Sequence, residues 1–216
     1  MTVSDRVFEL IAVERRRAAD MFASLSDEQW QVRSLCSEWT VRDVAGHLIG
    51  PFCGSVLKFV IGGIREGSFH RYSTRMSRQL AKRPTAELVA ILRANADSRY
   101  APPGTGPPAA LTDLAVHTRD VARPLGLSTT ASADAWRQVL EFLTSPRAAR
   151  GFTRRGSVAG LRLTAADQEW SHGDGPEVRG PSEALALAIA GRETALADLS
   201  GDGLPTLTAR VTGSKG

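Results

Sequence analysis

Cysteine is scarce in this chain: two residues, Cys36 and Cys53, among 216. That number suits a reducing compartment better than a disulfide framework. Long apolar runs are missing too. The longest, Val56 to Ile64, is interrupted by Lys58, Gly62 and Gly63, far short of the ~20 residues that a bilayer-spanning helix needs. The opening MTVSDRVFELIAVERRRAAD has acids early and no small-residue cleavage site, so it does not read as a signal peptide. These absences predict a cytoplasmic protein. No stripe of one charge sign is present either: 27 Lys and Arg lie scattered among 23 Asp and Glu, for a net charge of +4. That predicts neither a nucleic-acid nor a membrane partner, and a weak preference for anionic small molecules.

What is present is mostly helical patterning. Val7, Leu10, Ile11, Glu14, Ala18, Met21, Phe22 and Leu25 recur at steps of three and four, predicting a long amphipathic helix with Ser4 as its N-cap. Arg15, Arg16 and Arg17 read as its solvated face. Thr40 opens a second helix, with Asp43 three residues on as a capping box. Its stripe runs through Val44, His47, Leu48, Phe52, Val56, Phe59 and Val60, with a kink expected at Pro51 and an end at Gly62 and Gly63. Further helices are predicted from Pro84 to Ala96, Ala110 to Arg123 and Ala133 to Leu143, with APPGTGPP at 101–108 as a breaker. After Arg150 the texture changes. Ser157 to Thr164 and Asp167 to His172 read as strands, GDGPEVRGP as loop or hairpin, Pro181 to Leu199 as a helix, and Leu204 to Val211 as a strand.

The residues that can carry chemistry are few. His47 falls on the apolar stripe of the second helix. Asp113 and His117 stand four apart, so a helix presents both on one face. A carboxylate and two imidazoles from facing helices can take one ion at ~2.0–2.2 Å and leave a coordination position open, as catalytic sites do. The same spacing also fits a hydrogen-bonded core histidine beside a surface acid. His70 and His172 read as surface residues, Cys36 as a small hydrophobe beside Trp39, and Cys53 as a core residue. Trp30, Trp39, Trp136 and Trp170 read as staples of loops and helices.

Three segments, in order along the chain, narrow these alternatives. LCSEWTVRDVAGHLIG at 35–50 resembles the signature of actinobacterial mycothiol-dependent maleylpyruvate isomerase-like proteins, a branch of the DinB-like bundle superfamily. DLAVHTRDVARPLGL at 113–127 is similar to the second metal motif of that family, and residues 160–192 to its small C-terminal domain. The resemblance implies a mainly helical α+β protein: a DinB-like four-helix bundle over 1–150, then a small β-β-α-β domain over 151–216 packed on it. It implies a divalent metal, Zn2+ by family habit, on His47, Asp113 and His117, with mycothiol as thiol cosubstrate and Arg192 as the catalytic arginine. It also implies an enzyme, isomerase or S-transferase, in which a metal-activated thiolate adds to a small, anionic electrophile, the protein being a monomer or homodimer. A non-catalytic bundle that binds a metal or small ligand is the second reading. The chain departs from the pattern in carrying Asp113 for the usual Glu, Ser37-Glu38 for Pro-Gly, and His172 for an apolar residue.

Overall fold

The computed structural model describes residues 2–36, 38–54 and 56–213, without the side chains of 56–60 and of Phe69. Ser37 lies outside these residues, as do the side chains of Val56, Phe59 and Val60 assigned to the second-helix stripe. The described elements are α1 (Val3–Ala23), α2 (Val41–Cys53), α3 (Val56–Arg65), α4 (Phe69–Leu80), α5 (Thr85–Ala94), α6 (Pro107–Ala122), α7 (Ala133–Leu143), β1 (Arg162–Ala165), β2 (Ser171–His172), β3 (Glu177–Gly180), α8 (Ser182–Ile189) and α9 (Leu204–Thr212), with short 3-10 turns between some of them. The chain is mainly helical with one small sheet near its C-terminal end, which is the α+β class that the sequence predicts.

Two compact units form. The first comprises Met1–Leu10, Ala101–Val116 and Thr130–Gly216; the second comprises Ile11–Tyr100 and His117–Thr129.

In the second unit, α2 packs on α4 and α5, and α3 on α4. The predicted capping box starts α2: Thr40 accepts from the Asp43 N–H, and Asp43 accepts from the Thr40 N–H. Gly46 permits the close approach of α2 to α4, because a Cβ there would overlap the Ser77 carbonyl oxygen. The expected kink is a full break. Pro51 cannot donate within the helix, α2 stops at Cys53, and Gly54 is extended (φ −147°, ψ 174°) before α3 begins. Gly62 and Gly63 therefore lie inside α3 and do not end it; a Cβ on Gly62 would run into the Tyr72 ring of α4.

Helix α4 is absent from the sequence reading. Its Tyr72, Met76 and Leu80 recur at helical steps opposite Arg71, Arg75 and Arg78, with Ser68 as N-cap, so the signal was present, although the buried Thr74 and Ser77 are polar. The N-cap of α1 is Thr2, which accepts from the Asp5 N–H, and Ser4 lies inside the helix. The arginine run also needs correction. Arg15 is buried and donates to the carbonyls of Asn95, Ala96 and Ser98. Its guanidinium lies 5.0 Å from the Phe52 ring centroid. Burial pushes its pKa down to about 10, partly opposed by Asp97.

In the first unit the sheet has the order β2-β1-β3, with β1 antiparallel to β2 and parallel to β3. Leu163 and Ala165 of β1 and Val178 of β3 point to the buried side. The segment read as loop or hairpin thus supplies a strand. Helix α8 is buried at every position but the half-buried Glu183 and packs on α7 and on β1 and β3, as expected for a helix apolar on nearly all sides. The last element corrects the β-β-α-β order. Leu204–Thr212 is a helix, not a strand. Pro205 in its first turn suits a helix start, and the buried Leu207 and Val211 stand four apart.

Candidate metal centre

Helix α6 carries Asp113 and His117 one turn apart, and α2 carries His47. The ligand atoms of these three side chains all lie within 4.8 Å of one another, and each residue is half-buried. The two imidazoles have ring centroids 4.8 Å apart, and the Trp39 ring lies 4.8 Å from that of His47 and 5.4 Å from that of His117. The buried Trp39 therefore walls the pair on an apolar side, beyond its predicted use as a staple.

Each imidazole has a polar neighbour at Nδ1. For His117 it is Oδ2 of Asp120, at 2.9 Å; the Asp120 side chain is fully buried and that of His117 is 12% exposed. An ionised carboxylate only accepts, so Nδ1 of His117 is the donor in this contact. For His47 the neighbour is the Ser77 hydroxyl, at 3.5 Å, brought close by the Gly46 contact. A carboxylate behind a histidine fixes its tautomer and orientation in metal sites.

The sequence places this second carboxylate through a proline. Pro124 has no N–H to donate to the Asp120 carbonyl, and that oxygen instead accepts from the Leu35 N–H at 3.0 Å. The loop before α2 is thereby tied to α6. It closes on itself through Ser34 N–H to Trp39 O at 3.0 Å and Trp39 N–H to Cys36 O at 2.9 Å. This brings the Cys36 thiol within 3.2 Å of Asp120 Oδ2 and 3.7 Å of His117 Nδ1. Cys36 is thus no mere packing hydrophobe, and it forms with His117 and Asp120 a further group of ligand atoms within 4.8 Å of one another.

Of the predicted site residues, His47, Asp113 and His117 come together. Arg192 lies in the first unit, half-buried at the turn after α8, with Nη1 donating to the Ala190 carbonyl at 2.6 Å. His70 and His172 are exposed. Cys53 is half-buried, and burial pushes its thiol pKa up. Sequence reasoning missed Cys36 and Asp120. The His-x-x-Asp spacing at 117–120 was a readable signal, since i and i+3 share a helix face. The approach of Cys36 was not readable, because 84 positions separate it from Asp120.

Fold and site together define a mainly helical protein in which two helices supply the imidazoles and carboxylate of a metal-type ligand set. Residues 11–158 match the family described as the mycothiol maleylpyruvate isomerase N-terminal domain. The chain belongs to that family. Its fold is similar to the crystal structure of mycothiol-dependent maleylpyruvate isomerase, with TM-score 0.52, 17% identity and 93% of each chain covered. A histidine-to-alanine variant of the same enzyme gives TM-score 0.58 at 14% identity, again over 93% of each chain. No curated protein matches the chain in sequence.

Proposed function

We propose that the chain is a metal-dependent, mycothiol-using enzyme of the maleylpyruvate isomerase type, acting on a small anionic electrophile. His47, Asp113 and His117 would hold the ion. The observation that carries this reading is the convergence of two imidazoles and a carboxylate within 4.8 Å, one imidazole being backed by a buried carboxylate. The donor set fits a divalent ion of the zinc type. Donors bound at about 2.0–2.2 Å to a tetrahedral ion lie about 3.3–3.6 Å apart, so side-chain shifts of up to about 1.5 Å would bring this set, now within 4.8 Å, onto one ion. Three protein ligands leave a coordination position for a thiol.

When bound, the ion and the thiol supply a thiolate at neutral pH, suited to reversible addition to a double bond conjugated with a carbonyl. The chain's own residues do the rest. Asp120 accepts the Nδ1 proton of His117 and keeps the Nε2 lone pair available. Ser77 lies against Nδ1 of His47 and restrains that ring. Trp39 keeps water from one side of both imidazoles, which strengthens local electrostatics. Arg192 is assigned to the substrate carboxylate, for which a guanidinium offers a two-point fork. Release of an isomerised product or of a thiol conjugate distinguishes the isomerase from the S-transferase form of the reaction.

The test joins metal content to turnover. Elemental analysis should find near one divalent ion per chain, lost in His47→Ala and His117→Ala. Thiol-dependent conversion of a cis-configured unsaturated acid should exceed the free-thiol background and vanish in the same variants. Metal without turnover above that background would leave a metal-binding bundle, and no metal even after zinc reconstitution would overturn the reading altogether.

A further inference from the structure

Cys36, His117 and Asp120 bring a thiol, an imidazole and a carboxylate within 4.8 Å of one another, close to the spacing of donors on a single ion. The thiol sulfur lies 3.2 Å from Asp120 Oδ2, His117 Nδ1 lies 2.9 Å from that same oxygen, and sulfur and nitrogen are 3.7 Å apart. A tetrahedral ion with a thiolate at about 2.3 Å and nitrogen and oxygen donors at about 2.0–2.2 Å keeps its donors about 3.3–3.7 Å apart. All three observed edges lie within about half an ångström of that range.

Both ends of the set are fixed. The Leu35 N–H to Asp120 O bond and the Cys36–Trp39 turn hold the loop against α6, and His117 and Asp120 are i and i+3 on that helix. The Asp120 carboxylate is fully buried, and a cation beside a buried anion offsets its desolvation cost. A sulfur ligand selects thiophilic ions.

We propose that Cys36, Asp120 and Nδ1 of His117 form a second cation site, for a thiophilic divalent ion such as Zn2+ or Cd2+. Filling it sends the Cys36 thiol proton to solvent and moves the ring proton of His117 from Nδ1 to Nε2. A neutral imidazole has one lone pair. An ion at this site therefore withdraws His117 from the set with His47 and Asp113, and the two positions are alternatives. On the proposed function, an ion bound here would draw His117 away from the set that includes His47 and Asp113.

The test uses the full metal-stripped chain titrated with Cd2+, read by the ultraviolet thiolate-to-cadmium absorption. In His47→Ala, which disables the set used for the proposed function, the band should rise and saturate at a single equivalent. It should persist when Cys53→Ser is added and disappear when Cys36→Ser is added. Adding Asp120→Asn should weaken Cd2+ binding about tenfold or more. Asp113→Asn serves as a second background should His47→Ala fold poorly. A band absent from both backgrounds, or surviving Cys36→Ser, would overturn the proposal. Failure of the isomerase reading would leave these outcomes unchanged, since none of them involves turnover.

Discussion

The two units bury different things. In the unit built from Thr130–Gly216 and its two companion segments, the buried polar residues are Thr105, Thr112 and Ser182, and no charged residue is buried among those described. The unit holding Ile11–Tyr100 and His117–Thr129 buries Glu14, Arg15 and Asp120 as well as Ser34, Thr74, Ser77 and Thr118. Charge is expensive to bury unless each group has a partner. Here each has one: Glu14 with Arg17, Arg15 with three carbonyls, and Asp120 with His117 and Cys36. The first unit is therefore stabilised chiefly by apolar burial. The second spends part of its interior on polar groups held in fixed positions, among them the Asp120 carboxylate against His117.

Separate perturbations sharpen that contrast, and the largest effect belongs to the apolar unit. Leu163→Ala removes a fully buried side chain of β1 and should destabilise the protein by about 2–5 kcal/mol. Metal affinity should stay unchanged, as denaturant melts paired with metal titration would report. A fall in affinity comparable to that in His47→Ala would break the comparison.

Arg15→Ala should come next, at about 2–4 kcal/mol by the same melts, because it leaves part-buried carbonyls of 95, 96 and 98 without their guanidinium donor. Its cost also tests how the buried charge behaves with pH. The folded-state pKa, about 10, lies below the usual arginine value, so between the two the unfolded chain binds more protons. Stability carried by this group accordingly rises with pH across that window. A decrease there, after subtraction of the Arg15→Ala profile, would contradict the burial of this charge.

Asp120→Asn reverses the pattern set by Leu163→Ala. Binding of an ion at His47, Asp113 and His117 should weaken about 10–100-fold through loss of the carboxylate behind His117. Isothermal titration with Zn2+ measures it, and an unchanged affinity would remove Asp120 from its positioning role.

The smallest effect concerns the other cysteine. Burial raises the Cys53 pKa, so less thiolate is present near pH 8. In a Cys36→Ser background, maleimide labelling should run slower than that of a free thiol peptide. Equal rates would show that the half-buried position is open to solvent.

Much of the site was legible because its parts are local. The i, i+4 spacing of Asp113 and His117, the capping box at Thr40, and the stripe carrying His47 all follow from helical periodicity, and α7 begins and ends at the predicted residues, Ala133 and Leu143. Helix α4 buries small polar residues in addition to Leu80, the break after Pro51 needed Gly54 to become extended, and Leu204–Thr212 became a helix although its pattern read as a strand. Each carried a local signal that was passed over: Ser68 as N-cap and an amphipathic pattern for α4, Pro51 followed by Gly54 for the break, and Pro205 with Leu207 and Val211 four apart for the last helix.

Sequence alone determined that the chain is mainly helical, that two histidines and an aspartate lie on helix faces, and that three motifs in order mark its family. Periodicity and family motifs are properties of residues close in sequence, and a linear reading retains them. Only the tertiary structure decided that Arg15 is buried, that Ser77 lies behind His47, and that Cys36 reaches Asp120 across 84 positions. Those contacts depend on Gly46 letting two helices meet and on Pro124 leaving a carbonyl for the Leu35 N–H. Such pairings between distant segments have no periodic trace, because what selects them is the partner that each buried polar group finds on folding.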